Sequence, residues 1–280
     1  MKKHIFITVI LFFSFSILYG QITTEEDPIS FGRSVPALPI NNNTHKVLPP
    51  IDMNQLEQED LEDEANGIPP RFGFPHEVNY NLNNSGEWLT LPNGDKIWRL
   101  SISCPGALSI NLLYDRFWLP EGAKFFIYTP DRSHSIGAIT SENNKGERDN
   151  IQGFASCLVY GEHIILEYYL SEEVNETGVI DIAYVVHGYR YIVLPEDMGK
   201  DYGQSGDCQV NVNCVEGAGW DLEKNAVALI LVNGYRYCTG SLVNTTANNS
   251  ATDFALLELT EDPLNKKKCY AFLFGMGSFW

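Results

Sequence analysis

Between Ile97 and Val186 the apolar residues come in short runs, and this spacing constrains the fold more than any other feature of the chain. Ile97-Trp98-Arg99-Leu100-Ser101-Ile102-Ser103 largely alternates apolar and polar, the pattern of a strand with one buried side. Pro92-Asn93-Gly94-Asp95 just before it is a turn, because Asn and Gly tolerate positive φ. Further runs follow at Ser109–Leu113, Ala123–Tyr128, Ser135–Ile139, Ala155–Val159, His163–Tyr169 and Val179–Val186. Gly, Pro, Asn and Asp clusters separate them at intervals of about ten residues, which predicts an antiparallel β-sandwich over residues 75–195. The aromatic side chains of this block (Trp98, Phe117, Trp118, Phe125, Phe126, Tyr128, Tyr168, Tyr169) are read as core rather than as a sugar-binding platform.

The flanks differ in character. Lys2 and Lys3 precede an apolar run from Ile5 to Tyr19, too short to span a bilayer, which needs about 20 residues. Residues 1–20 therefore read as a secretory signal peptide cut near Gly20–Gln21, and the chain as secreted, periplasmic or held at the cell surface, with no membrane span. Residues 21–74 are rich in Pro, Asn and acid and read as a flexible acidic leader with at most a short helix. Within it the window Gln55–Asn66 carries six carboxylates (Glu57, Glu59, Asp60, Glu62, Asp63, Glu64) and no base, the composition of a solvated tail. With 36 acidic against 19 basic residues the chain carries a formal charge of −17, which repels phosphate backbones and excludes nucleic acid as a partner.

Export implies an oxidising compartment, so Cys104, Cys157, Cys208, Cys214, Cys238 and Cys269 are disulfide candidates before they are metal ligands. A Cys104–Cys157 bridge is the pairing expected within the sandwich. No C-x-x-C or H-E-x-x-H occurs, and no metal or other cofactor is expected.

After a polar connector at 195–203 the β pattern restarts. Ala226–Val232 reads as a strand, Asn233-Gly234 as a hairpin turn, Tyr235–Val243 as the returning strand and Asp253–Leu259 as another. Three segments stand out here: Gly206-Asp207-Cys208-Gln209-Val210-Asn211-Val212-Asn213-Cys214, Cys238-Thr239-Gly240-Ser241-Leu242-Val243-Asn244, and Thr252-Asp253-Phe254-Ala255-Leu256-Leu257-Glu258-Leu259. Together they resemble the secreted bacterial lysyl endopeptidases, serine proteases of the chymotrypsin-like class. The upstream Trp88–Gly94 stretch and His187-Gly188-Tyr189-Arg190 look like the pro-region of such enzymes.

The resemblance implies that residues 201–280 form a chymotrypsin-like barrel, that Asp253 is the catalytic Asp, and that Lys200–Asp201 is the processing junction. Cys208, Cys214 and Cys238 resemble family disulfide positions, left to pair with one another or with Cys269, or to remain thiols. The family pattern also departs at two places. Asn249-Ser250-Ala251-Thr252 runs straight into the Asp strand where a His-bearing segment belongs, and no His follows His187. No G-x-S-G follows Asp253, and Gly203-Gln204-Ser205-Gly206 sits in the connector. Peptide hydrolysis of this type needs Ser, His and Asp acting as one unit.

The expectation is a truncated precursor of a lysyl-endopeptidase-like serine endopeptidase, all-β, with a sandwich pro-domain before an incomplete barrel, and inactive as written. A full-length form would act on protein or peptide substrates. The alternative is a non-enzymatic secreted sandwich that binds, inhibits or helps fold an intact protease relative. A glycan-binding sandwich would need exposed aromatic residues clustered on one face.

Overall fold

Strand Lys96–Ser103 (β4) is buried along its whole length after Lys96, on both faces, so each face needs its own cover. Trp98, Leu100 and Ile102 point into the main core, and the polar side of the same strand (Arg99, Ser101, Ser103) is buried as well. The computed structural model describes residues 26–32, 35–192, 219–220, 227–241 and 271–275, with the backbone alone at 227–228, 238–241 and 271–275.

The protein is all-β, and residues 73–188 form a sandwich of two sheets. In the first sheet β4 pairs antiparallel with His163–Leu170 (β10), which pairs with Lys124–Tyr128 (β6), which pairs with Ser135–Ile139 (β7). The other edge of β4 is shared by two short strands. Glu87–Thr90 (β3) runs antiparallel to its first half and His45–Val47 (β1) parallel to its second half. The second sheet has the order Gly73–Asn81 (β2), Val179–Gly188 (β11), Ser109–Trp118 (β5), Phe154–Ala155 (β8), with Val159–Tyr160 (β9) also on β5.

Of the aromatic residues predicted as core, Trp98, Phe117, Phe125, Phe126, Tyr128 and Tyr168 are buried, while Trp118 and Tyr169 are partly covered. Phe117 stacks on Phe154 at 4.5 Å and meets Phe125 edge-on at 5.7 Å, so the middle of the sandwich is an aromatic cluster.

Two strands depart from the sequence pattern. The run Ala155–Val159 breaks into β8 and β9 because Ser156 interrupts the ladder: its hydroxyl accepts from Leu112 N at 2.9 Å and donates to Cys157 O. Strand β2 carries Pro75, which the sheet accommodates because β2 lies at its edge.

The leader is where the structure corrects the sequence most. The described part of residues 21–74 is built into the fold. Ile29 and Phe31, on a single helical turn at Ile29–Gly32 (α1), pack against Phe126, Tyr128 and Ala138 on the outer side of the first sheet. Below them Glu167 is fully buried. It accepts from Ser30 N at 3.1 Å, from the Ser30 hydroxyl, and from Tyr128 Oη at 3.2 Å. Burial, then the Glu167 charge, pushes the Tyr128 phenol well above its ordinary range. Arg99, opposite Glu167 in the ladder, donates to Pro36 O at 2.8 Å, and Ser101 N donates to Thr44 O at 2.8 Å. A buried carboxylate needs donors, and Ser30 supplies two of them, while the segment before β1 accepts from Arg99 and Ser101.

The second correction concerns the cysteines. Cys104 and Cys157 are both free. Cys104 directly follows β4 and packs in the main core, while Cys157 lies between β8 and β9 on the second sheet. Burial pushes each thiol up to about 12, which leaves little thiolate at neutral pH.

Ser30→Ala removes a hydroxyl donor from the buried Glu167 carboxylate. It is expected to lower folding stability by about 1–3 kcal/mol in chemical denaturation.

Candidate functional site: the seat of a hairpin on the sandwich

The remaining described strands are Val227–Val232 (β12), Tyr235–Ser241 (β13) and Ala271–Gly275 (β14), which form a third sheet with β12 in the middle. Asn233 and Gly234 join β12 to β13 with φ of 48° and 89°, the two positive values of a type I′ turn. The predicted hairpin is thus present, and its tip is seated on the sandwich.

The seat begins with the backbone. Phe72 N and Gly73 N both donate to Gly234 O, at 2.7 and 3.1 Å, and Arg236 N donates to Pro70 O at 2.8 Å. Arg71 and Tyr235 form an antiparallel bridge, so residues 70–73 run along the hairpin as a short added strand. Glycine is required on both sides of this contact. A Cβ on Gly234 would meet Gly73 O at 2.3 Å, and a Cβ on Gly73 would meet Val186 Cγ1 at 2.7 Å.

Apolar packing completes it. Phe72, Leu113, Ala155, Leu158, Val186 and Leu231 form one buried cluster, with Leu229, Tyr184 and Ile192 against it. Leu113, Tyr184 and Val186 belong to the outer face of the second sheet. Register irregularities around Asp181, Ile182 and Tyr184 make this possible. They shift the alternation so that Ile182 and Val185 both face the main core while Tyr184 and Val186 face the hairpin.

Three arginines converge at the margin. Arg71 is held by the helix Met53–Ala65 (α2), which starts at Asp52, whose side chain accepts from Gln55 N at 3.1 Å. Positions 56, 59, 60 and 63 lie on one face of this helix. Leu56 is buried there, Asp60 accepts from Arg71 Nε at 2.6 Å, Glu59 pairs with Arg71 Nη1 at 3.0 Å, and Asp63 stands 3.8 Å from Arg71 Nε. Arg190 Nη2 reaches Asp60 at 2.7 Å, and Tyr189 Oη donates to the same carboxylate at 2.9 Å. Arg236 Nη2 donates to Tyr191 O at 2.6 Å, and its Nε is buried without a partner among the described residues.

Burial works against the Arg71 charge, but the bonds to Asp60 and Glu59 outweigh it and raise its pKa. Arg236 is lowered, by burial first and then by Arg190. Half of the acidic block is therefore an ion-pairing face, while Glu57, Glu62 and Glu64 remain exposed as the composition predicted.

His76 on β2 and His187 on β11 lie on neighbouring strands, their rings 5.9 Å apart. Both are lowered, chiefly by burial. His76 is lowered further by His187, whereas the Gly106 backbone and then Glu162 pull His187 partly back, although neither ring nitrogen of His187 has a well-formed hydrogen bond.

Most of the predicted site residues lie outside the described part of the chain: Asp253, Lys200, Asp201, Cys208, Cys214 and Cys269. Cys238 is on β13, where only the backbone is described. One Ser–His contact does exist in the sandwich. Ser103 Oγ lies 2.6 Å from His163 Nδ1 and 3.2 Å from His45 Nε2. Ser103 is buried, and among the described residues neither imidazole takes a carboxylate partner, so this is a cross-strand bond rather than a nucleophile. Also among the described residues, no group of three or more His, Cys, Asp or Glu is placed to hold a metal ion.

Two expectations follow from this site. Asp60→Ala leaves Arg71 and Arg190 without their shared carboxylate and should cost about 3 kcal/mol, whereas Glu59→Ala, at the solvent edge, should cost less than about 1 kcal/mol; both are read from denaturation midpoints. Buried neutral histidines contribute stability that is complete above the ordinary imidazole pKa, about 6.5, and is lost as pH falls through their lowered folded values. The melting temperature should therefore be level at pH 7–8 and fall below about pH 6.5, and His76→Phe should flatten part of that fall.

Residues 202–255 match the family model of the lysyl endopeptidase C-terminal domain, a span that contains the seated hairpin and Asp253. Among solved structures, a family 35 carbohydrate-binding module from an environmental isolate is similar at 11% identity over 42% of this chain and 88% of that one. Its TM-score of 0.20 is too low to carry an argument. No helix among the described residues is long and apolar enough to cross a membrane. The hairpin held by the sandwich thus falls within a segment similar to a protease domain, which supports a lysyl endopeptidase-related protein.

Proposed function

We propose that the chain is a precursor of a secreted lysyl-endopeptidase-like serine protease, with the sandwich as its pro-domain and the segment after Lys200 as its protease-like module. The observation that carries this reading is the seating of β12–β13, part of the matched segment, on the outer face of the sandwich. A pro-domain has to recognise the fold it precedes, and the backbone and apolar contacts at Gly234 and Leu231 supply that recognition.

Within this reading Asp253 corresponds to the Asp that orients the catalytic His. The stretch between Cys238 and Asp253, where the family carries that His, contains none to be oriented. Without that His no Ser can be relieved of its proton, so the chain is inactive and Lys200–Asp201 is a site cut by an active relative rather than by itself. A second reading draws on the same seat: a sandwich that binds, inhibits or assists an intact relative through that relative's equivalent hairpin.

The purified chain should not cleave a Lys-containing reporter peptide above background. Incubation with an active lysyl endopeptidase should release a fragment that begins at Asp201, identified by mass spectrometry. Robust cleavage of the reporter overturns the inactive assignment, and a chain that stays uncut between residues 193 and 226 overturns the precursor assignment.

A further inference from the structure

Every described contact that seats the hairpin comes from residues 70–73, 113, 155, 158, 184, 186 and 191–192 on one side and residues 229–236 on the other. Among the described residues, the receiving surface is assembled from those before 193: Asp60 fixes Arg71, Arg71 leads into Phe72 and Gly73, and the shifted register of β11 turns Tyr184 and Val186 outward.

We infer that the sandwich is a non-covalent clamp, which keeps hold of the β12–β13 hairpin of this chain after the connecting stretch has been cut. This rests on the pro-domain reading only for the cut itself.

Three features define what the clamp accepts. The turn must have Gly at its second position, because Gly73 O lies where any Cβ would go. The strand before it must bring leucine-sized side chains to the positions of Leu229 and Leu231, over Phe72 and Val186. The strand after it must bring an arginine two residues past the Gly, within reach of the Tyr191 carbonyl where the sandwich strand ends. Together they describe an antiparallel hairpin with an Asn-Gly tip, and an extended peptide or a helix would not satisfy them.

While the chain is intact, the tether keeps the hairpin at a high local concentration. Once it is cut, the contact becomes bimolecular and its occupancy depends on protein concentration. Retention followed by release on dilution is the signature of such a clamp. It separates the clamp from a surface that holds the hairpin only because the two are joined.

The test uses the full chain with a recognition sequence for a site-specific protease inserted between Lys200 and Asp201. After complete cutting, native size-exclusion chromatography at micromolar protein should show the two fragments co-eluting, with separation as the protein is diluted. Gly234→Ala should raise the concentration needed for half-retention by at least about tenfold, as expected for a well-packed central contact. If the uncut Gly234→Ala chain fails to fold, judged by its melting curve, Arg236→Ala takes its place and should weaken retention in the same sense. Separation of the unsubstituted fragments at micromolar concentration overturns the clamp, as does retention that neither substitution changes. Because the cut is engineered, these outcomes leave natural processing between residues 193 and 226 to be judged separately by the mass-spectrometric experiment above.

Discussion

The Asp60 carboxylate is the point on which the second half of the structure depends. It accepts Arg71 Nε, Arg190 Nη2 and Tyr189 Oη, and so ties together the helix α2, the entry to β2 and the end of β11. Removing a charge from water is unfavourable unless donors replace the lost water, and here three donors converge. The consequence is geometric. With Arg71 fixed, Phe72 and Gly73 present their backbone N–H groups to the hairpin tip, and Phe72 becomes the floor of the apolar cluster around Leu231.

The opposite side of the molecule obeys the same rule with different residues. Glu167 is buried on the outer side of the first sheet and finds its donors in Ser30 and Tyr128, while Ile29 and Phe31 cover the apolar side chains around it. A two-sheet sandwich normally leaves its outer faces to water. This one covers one outer face with the segment before β1 and the other with the hairpin. That explains why β4 is buried throughout after Lys96, although its sequence largely alternates apolar and polar.

The period-2 pattern and the turn clusters made the order of the central strands legible, and Asn233-Gly234 made the hairpin legible before any coordinates. The edge strand β2 was obscured by Pro75, whose missing N–H matters only inside a sheet, and β1 was too short to give a period. The acidic block was legible as a helix at most. That three of its carboxylates face an arginine depends on where Arg71 comes to lie, which no local pattern contains. The cysteines show the same limit: Cys104 and Cys157 share a domain in the sequence, but both are free thiols, Cys104 in the main core and Cys157 between β8 and β9. The seat of the hairpin was not legible at all, since Gly73 and Gly234 come from distant parts of the chain.

By itself the sequence determined the strand-forming runs, the turns between them, and a stretch similar to lysyl endopeptidases. These are local properties of φ/ψ preference, side-chain period and residue identity. Only the tertiary structure decided which polar groups are buried, that the acidic helix is part of the fold, and that the sandwich grips a hairpin of the protease-like segment. Those outcomes follow from burial and pairing between residues far apart in the chain, and they exist only once the sheets have packed.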